Sequence, residues 1–158
     1  MEHITREGYT ALYGEITEQD FSRLSFEAFR VLDDMTTGVD GFSKLRRAYP
    51  VDEYDAEAVA RCAYSLLYNM KRIEEMEASS GYVTREDRVL VGKRVASVSS
   101  GTESITYASG TSATVLEAAA ADADKRRAMF SDTVRKYLSG VKDAHGVNLL
   151  YMGVYPRV

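Results

Sequence analysis

Between Ser79 and Thr114 the chain runs through 36 residues of which 17 are Ser, Thr or Gly. This tract limits the possible folds more than any other feature, because helical patterning runs up to it and away from it. A structureless loop of about 20 residues is uncommon inside a compact domain, so such a tract is expected to dock, on its own core or on a neighbouring subunit. It holds a strand-like pair, Lys93 to Val98 and Glu103 to Ala108. In the second strand Ile105 and Tyr107 alternate with Ser104, Thr106 and Ala108, the pattern of a strand buried on one face. Ser99-Ser100-Gly101-Thr102 suits a short hairpin loop. A lone two-stranded hairpin is marginal in water and exposed strand edges invite pairing, so Val95, Val98, Ile105 and Tyr107 are candidate interface residues. The other outcome is a hairpin folded back on its own helices.

Around the tract the periodicity is helical. Thr17 opens a helix with Glu18 and Asp20 in its first turn, where acidic groups suit the dipole. Phe21, Leu24, Ala28, Leu32 and Met35 mark one face, and Thr36-Thr37-Gly38 closes it. Before it, Gly8 to Tyr13 is a short Tyr-bearing segment ending at Gly14. Phe42 to Tyr49 is a short helix or turn stopped by Pro50. Asp52 or Asp55 opens the clearest helix, with Val59, Cys62, Leu66, Met70, Ile73 and Met76 as its stripe. Thr114-Val115-Leu116-Glu117 is a capping box for a helix continuing to Val141, Ala-rich in its first half. The expected core joins Phe21, Leu24, Phe29, Leu32, Leu66, Met70, Ile73, Phe130 and Val134.

Composition narrows the function. A net charge of −4 disfavours a protein that grips nucleic acid, since phosphate affinity comes mainly from Lys and Arg. A single cysteine rules out an intrachain disulfide and suits a reducing compartment. No secretory signal is expected behind Met1, and no run approaches the roughly 20 apolar residues of a membrane helix.

A search for chemistry finds no catalytic set. His3 and His145 lack partners at ligand spacing, and Cys62 falls on an apolar stripe. Asp52, Glu53, Asp55 and Glu57 lack the spacing of a calcium loop and fit a helix start. No Gly-Lys-Ser/Thr follows Gly101 or Gly110, so no phosphate loop is expected. Arg46-Arg47 and Arg126-Arg127 read as solvated pairs. No cofactor, no metal and no enzymatic activity are expected. The C-terminal stretch is different: Leu149, Leu150, Tyr151, Met152 and Val154 crowd large apolar groups near the chain end. Termini fray unless something ties them down, so these residues either join the core or dock on a partner.

Four segments together resemble the head–tail connector (adaptor, or head-completion) proteins of tailed bacteriophages. Ile4-Thr5-Arg6-Glu7-Gly8-Tyr9 with Tyr13-Gly14 resembles the family's Tyr-bearing start, and Phe21 to Gly38 its first long helix ending in a Thr-Gly turn. Val59-Ala60-Arg61-Cys62-Ala63-Tyr64 resembles its second long helix, often followed by a Gly/Ser-rich insertion. Leu149-Leu150-Tyr151-Met152-Gly153-Val154 resembles its Leu-Leu-Tyr-Arg-Gly-Val ending, with Met152 where Arg is common. The resemblance covers nearly the whole chain.

The expected fold is thus mainly α: one domain, a small helical bundle of residues 17–77 and 114–141, a β-hairpin at about 90–110 inserted between the last two long helices, and a tail at 147–158. The resemblance implies a virion protein made in the host bacterial cytoplasm. It would form a ring of about twelve copies between the portal protein and the next connector or tail protein. Double-stranded DNA would pass through without sequence-specific binding. The alternatives are a small helical protein-binding or regulatory module, which would need a recognition face, and an enzyme with a scattered site.

Overall fold

The structure, a computed structural model, describes residues 4–79, 83–84, 90–91, 95–99, 104–107 and 114–156. It is mainly helical. In chain order the helices are α1 (Arg6–Tyr13), α2 (Glu18–Thr36), α3 (Lys44–Arg47), α4 (Glu53–Ser79), α5 (Val115–Ala121) and α6 (Ala123–Leu138). The described chain divides into two compact units, residues 1–70 with 130–158 and residues 71–129.

In the first unit each helix starts where a short polar side chain takes up orphan amides. The Thr5 hydroxyl accepts from Gly8 N–H at 3.0 Å, Thr17 from Asp20 N–H at 3.1 Å, and Ser43 from Arg46 N–H at 3.2 Å. Asp52 does the same for α4, accepting from the amides of Tyr54 and Asp55 at 3.0 and 3.1 Å. α1 is a full helix where the sequence suggests only a short segment. Its cap is set by Thr5, whose own N–H donates to the Tyr64 hydroxyl at 2.9 Å. A Cβ at residue 8 would collide with that hydroxyl, so glycine lets α1 lie close against α4.

The core of this unit is the meeting of three apolar stripes. Leu24, Ala28 and Leu32 of α2, Val59, Cys62, Leu66 and Met70 of α4, and Val134 and Leu138 of α6 are all buried. Phe21, Phe29 and Phe130 pack against this core while remaining partly exposed. Around it Tyr9 contacts Tyr13, Phe21 and Tyr64, and Tyr13 stacks on Tyr68 at 4.7 Å between ring centroids. Offset aromatic pairs of this kind add about 0.5–1.5 kcal/mol beyond the area they bury.

In the second unit the expected capping box is present, with Thr114 and Glu117 satisfying each other's amides. The single helix expected from 114 to 141 is instead two. Asp122 takes an extended backbone (φ −140°, ψ 121°), and its carboxylate accepts from the amides of Asp124 and Lys125, restarting the helix as α6. Arg126 seals the break by donating to the carbonyls of Ala119 and Ala120 at 3.0 and 3.1 Å and pairing with Glu77. Two end groups of α5 are thereby satisfied by one side chain.

Between α4 and α5 the described backbone comprises β1 (Val83–Thr84), β2 (Leu90–Val91), β3 (Val95–Ser99) and β4 (Ser104–Tyr107). They pair antiparallel, β1 with β2 and β3 with β4, the latter with a register shift between Val95 and Ser97. This pairing falls short of showing the whole hairpin expected at about 90–110. Its turn, 100–103, and the flanking Lys93, Arg94 and Ala108 lie outside the described residues.

Leu66 is fully buried at the centre of the first unit. Leu66→Ala is expected to lower the unfolding free energy by about 2–5 kcal/mol, read from a shifted denaturant midpoint with unchanged slope. A loss below about 1 kcal/mol would contradict this core.

Candidate docking surface

After α6 the chain turns at Gly140, whose positive φ of 86° suits glycine, and returns across the first unit. Leu149 N–H donates to Val141 C=O at 2.9 Å, which drives the Leu149 side chain fully into the core, with Leu150 packed against the core's edge. Leu149 is therefore a core group rather than a docking one. Beyond it the tail is held mainly by polar and aromatic contacts.

Asp143 organises that attachment. It is buried, and one carboxylate oxygen accepts from the amides of His145 and Val147, both at 2.9 Å. The other accepts from the Tyr155 hydroxyl at 2.5 Å. Charge-assisted bonds to a carboxylate are the strong members of the class, so the turn at 143–147 and the tail twelve residues on share one anchor. The Arg47 guanidinium lies 4.5 Å from the Tyr155 ring centroid and 5.3 Å from that of Phe42. It is also paired with Asp40 at 2.8 Å. Stacked guanidinium and aromatic faces attract, so Arg47 staples the tail to the turn before α3.

Beneath the staple lies Lys44, 1% exposed. Its Nζ donates to Thr36 C=O at 3.2 Å. Burial pushes its pKa down, while the carboxylates of Asp40 and Asp143 pull it back up. A buried cation is costly unless paired and hydrogen-bonded. Lys44 meets that condition only while the end of α2 and the Asp143 turn stay in place.

This scaffold presents one apolar surface. Val39 and Phe42 from the turn and Tyr151, Met152 and Val154 from the tail are each at least half exposed. The two strips are joined through Arg47 and through Gly38, where a Cβ would lie 3.7 Å from Gly153 C=O. A Cβ at Gly153 would meet the Tyr151 ring, so glycine lets that ring lie over the tail backbone. Clustered apolar exposure of this kind commonly marks an interaction site.

Of the candidates read from the sequence, Tyr151, Met152 and Val154 come together here, while Leu149 and Leu150 support them from within. Val95 pairs with Tyr107 and Val98 with Ile105 in backbone register; their side chains lie outside the described residues. Sequence reasoning missed Val39, Phe42, Lys44, Arg47, Asp143 and Tyr155. Arg47, taken for a solvated residue, is a structural cation. The available signal was the turn sequence Asp143-Ala144-His145-Gly146, whose leading Asp suits capping of its own turn.

Cys62 is buried and its thiol is pushed up to about 12 by desolvation, which leaves no thiolate at neutral pH. Among the described residues no group of three His, Cys, Asp or Glu side chains could hold a metal ion, and no helix is long and apolar enough to cross a membrane. Two open grooves lie in this unit, one beside α3 and one at the start of α4. One, about 610 Å3, is lined by Arg30, Asp33, Phe42, Arg46 and Arg47; the other, about 710 Å3, by Tyr49, Asp52, Glu53, Tyr54 and Glu57. Comparison of the chain with protein-family models, with curated proteins and with solved structures finds no match.

The Tyr155 phenol is pushed up to about 12, by desolvation first and then by its bond to Asp143. A group whose pKa is raised on folding contributes fully below its unfolded value, near 10, and loses that contribution as pH rises towards 12. Tyr155→Phe is expected to cost about 1–3 kcal/mol at pH 7 and to flatten the alkaline fall of stability between pH 10 and 12. Equal slopes for the two proteins in pH-dependent denaturant titrations would contradict the Tyr155–Asp143 anchor.

Proposed function

We propose that this chain is a structural subunit of a tailed-phage virion, a head–tail connector that assembles as a ring of about twelve copies between the portal and the tail. One observation carries the reading: the surface of Val39, Phe42, Tyr151, Met152 and Val154, held outward by the Arg47 staple and the Asp143 anchor. An end segment built this way has the character of a docking element. It is apolar where it meets solvent and rigidly backed, so little ordering cost remains to be met on binding. Tyr151 is the aromatic anchor that interfaces favour.

Two further properties support the reading. An acidic chain, net charge −4, suits a channel wall past which DNA must slide, since a basic wall would retain it. The order of the sequence segments along the chain resembles the connector family, as set out above. In this reading residues 93–99 and 103–108 form a hairpin arm inserted between long helices, and Val95, Val98, Ile105 and Tyr107 meet a neighbouring subunit.

Tyr151→Ser, Met152→Ser and Val154→Ser combined should leave the melting transition nearly unchanged, because all three side chains are exposed, yet abolish attachment to portal-bearing heads. Attachment at the unmodified level, measured by co-sedimentation with purified heads, would contradict the docking role. Deleting residues 94–107 should separately leave a folded protein that no longer forms rings. Normal rings from that deletion would remove the arm from the interface.

A further inference from the structure

A ring needs a heterologous contact, in which two different patches of one subunit meet on adjacent copies. The first unit offers two that differ in chemistry. One is the groove beside the tail surface, lined by Arg30, Phe42, Arg46 and Arg47 with Asp33. It is continuous with the candidate docking surface through Phe42 and Arg47. Arg46 gives its Nε to Asp33 at 2.6 Å, and its side chain is 73% exposed, so its terminal nitrogens face outward.

The other patch lies at the start of α4. Val51 and Tyr54 are both 82% exposed, the highest values among the large apolar side chains described. Asp52, Glu53 and Glu57 surround them. Asp52 is occupied in capping α4 and Glu57 pairs with Arg61 at 2.7 Å. Glu53 is exposed beside Tyr54. Tyr54, on an open groove it shares with Asp52, Glu53 and Glu57, offers an exposed ring and the Glu53 carboxylate to a groove lined by Arg30, Phe42, Arg46 and Arg47 together with Asp33 and Asp34. Arg47 over Phe42 and Tyr155 already shows that cation–aromatic stacking is the local mode of packing.

We propose that the occupant of the arginine-lined groove is a second copy of this chain, whose Tyr54 seats against Phe42 and Arg46 while its Glu53 faces the Arg46 guanidinium. This rests on the ring reading and names the subunit contact within it. Burying Val51 and Tyr54 removes apolar area from water on one copy as Phe42 is covered on the other, and Tyr with Arg are the residues in which interface energy concentrates. The charged pair sets register and orientation more than affinity.

Sedimentation velocity of the full chain across a concentration series tests this, with Tyr54→Ala, Glu53→Arg and Arg46→Glu as variants and thermal melts as folding controls. Each variant alone should weaken self-association about tenfold or more. An equimolar mixture of Glu53→Arg and Arg46→Glu should regain it, because each supplies the surface the other lacks. Folded Tyr54→Ala that assembles like the unmodified chain, or a mixture no better than its components, overturns the contact while leaving the ring reading standing. An unmodified chain that stays monomeric at every concentration overturns the ring reading and this contact together.

Discussion

The buried ammonium of Lys44 is the constraint on which the tail and the turn before α3 both depend. A cation withdrawn from water must be satisfied from the protein side, and the groups that do so come from separate parts of the chain. Thr36 C=O at the end of α2 accepts its hydrogen bond, and the carboxylates of Asp40 and Asp143 supply the field. Fixing Asp143 fixes the 143–147 turn and, through Tyr155, the tail. Fixing Asp40 places Arg47, which clasps Tyr155 and Phe42. The exposed apolar surface is thus built on a polar foundation. That arrangement keeps Tyr151, Met152 and Val154 outward, since the apolar core is already filled by Leu149 beneath them.

The division of labour along the seven residues from Leu149 to Tyr155 follows from the same geometry. Leu149 is drawn inward by the backbone bond to Val141, Tyr155 is turned back by Asp143, and Tyr151, Met152 and Val154 between them stay exposed. At Gly153 the Tyr151 ring lies against the backbone, in the space a Cβ would take. Burying these side chains would contribute about 25 cal/mol per Å2 of apolar area. Leaving them in water while bracing their backbone is consistent with a surface kept ready for a partner.

Much of the helical framework was legible in the residues. Thr17 with Asp20, Asp52 before α4, and Thr114 with Glu117 are local signals, read within three or four positions, and each marks a real helix start. The apolar stripes of α2 and α4 were equally plain, because burial repeats with the helical period. Where the reading fell short, the deciding interaction was either tertiary or ambiguous. α1 depends on Tyr64, far along the chain. Asp122 resembles any solvated acid within an Ala-rich run until Arg126 is seen closing the carbonyls behind it. The candidate surface was half legible: the apolar run 149–154 announces itself, but the stacking of Arg47 on Tyr155 and the bond from Tyr155 to Asp143 join residues whose separation carries no pattern. Arg46-Arg47 reads as two equivalent solvated cations, and only packing distinguishes the stapled one from the exposed one.

The central claim is the proposal that copies of this chain assemble into a closed ring, and imaging the assembly reaches it most directly. Averaged electron micrographs of the purified, unmodified chain at high concentration are predicted to show closed rings around an open central channel, with a mass that is a whole multiple of the 158-residue subunit. Single subunits at every concentration, or open filaments with no closed form, would contradict it.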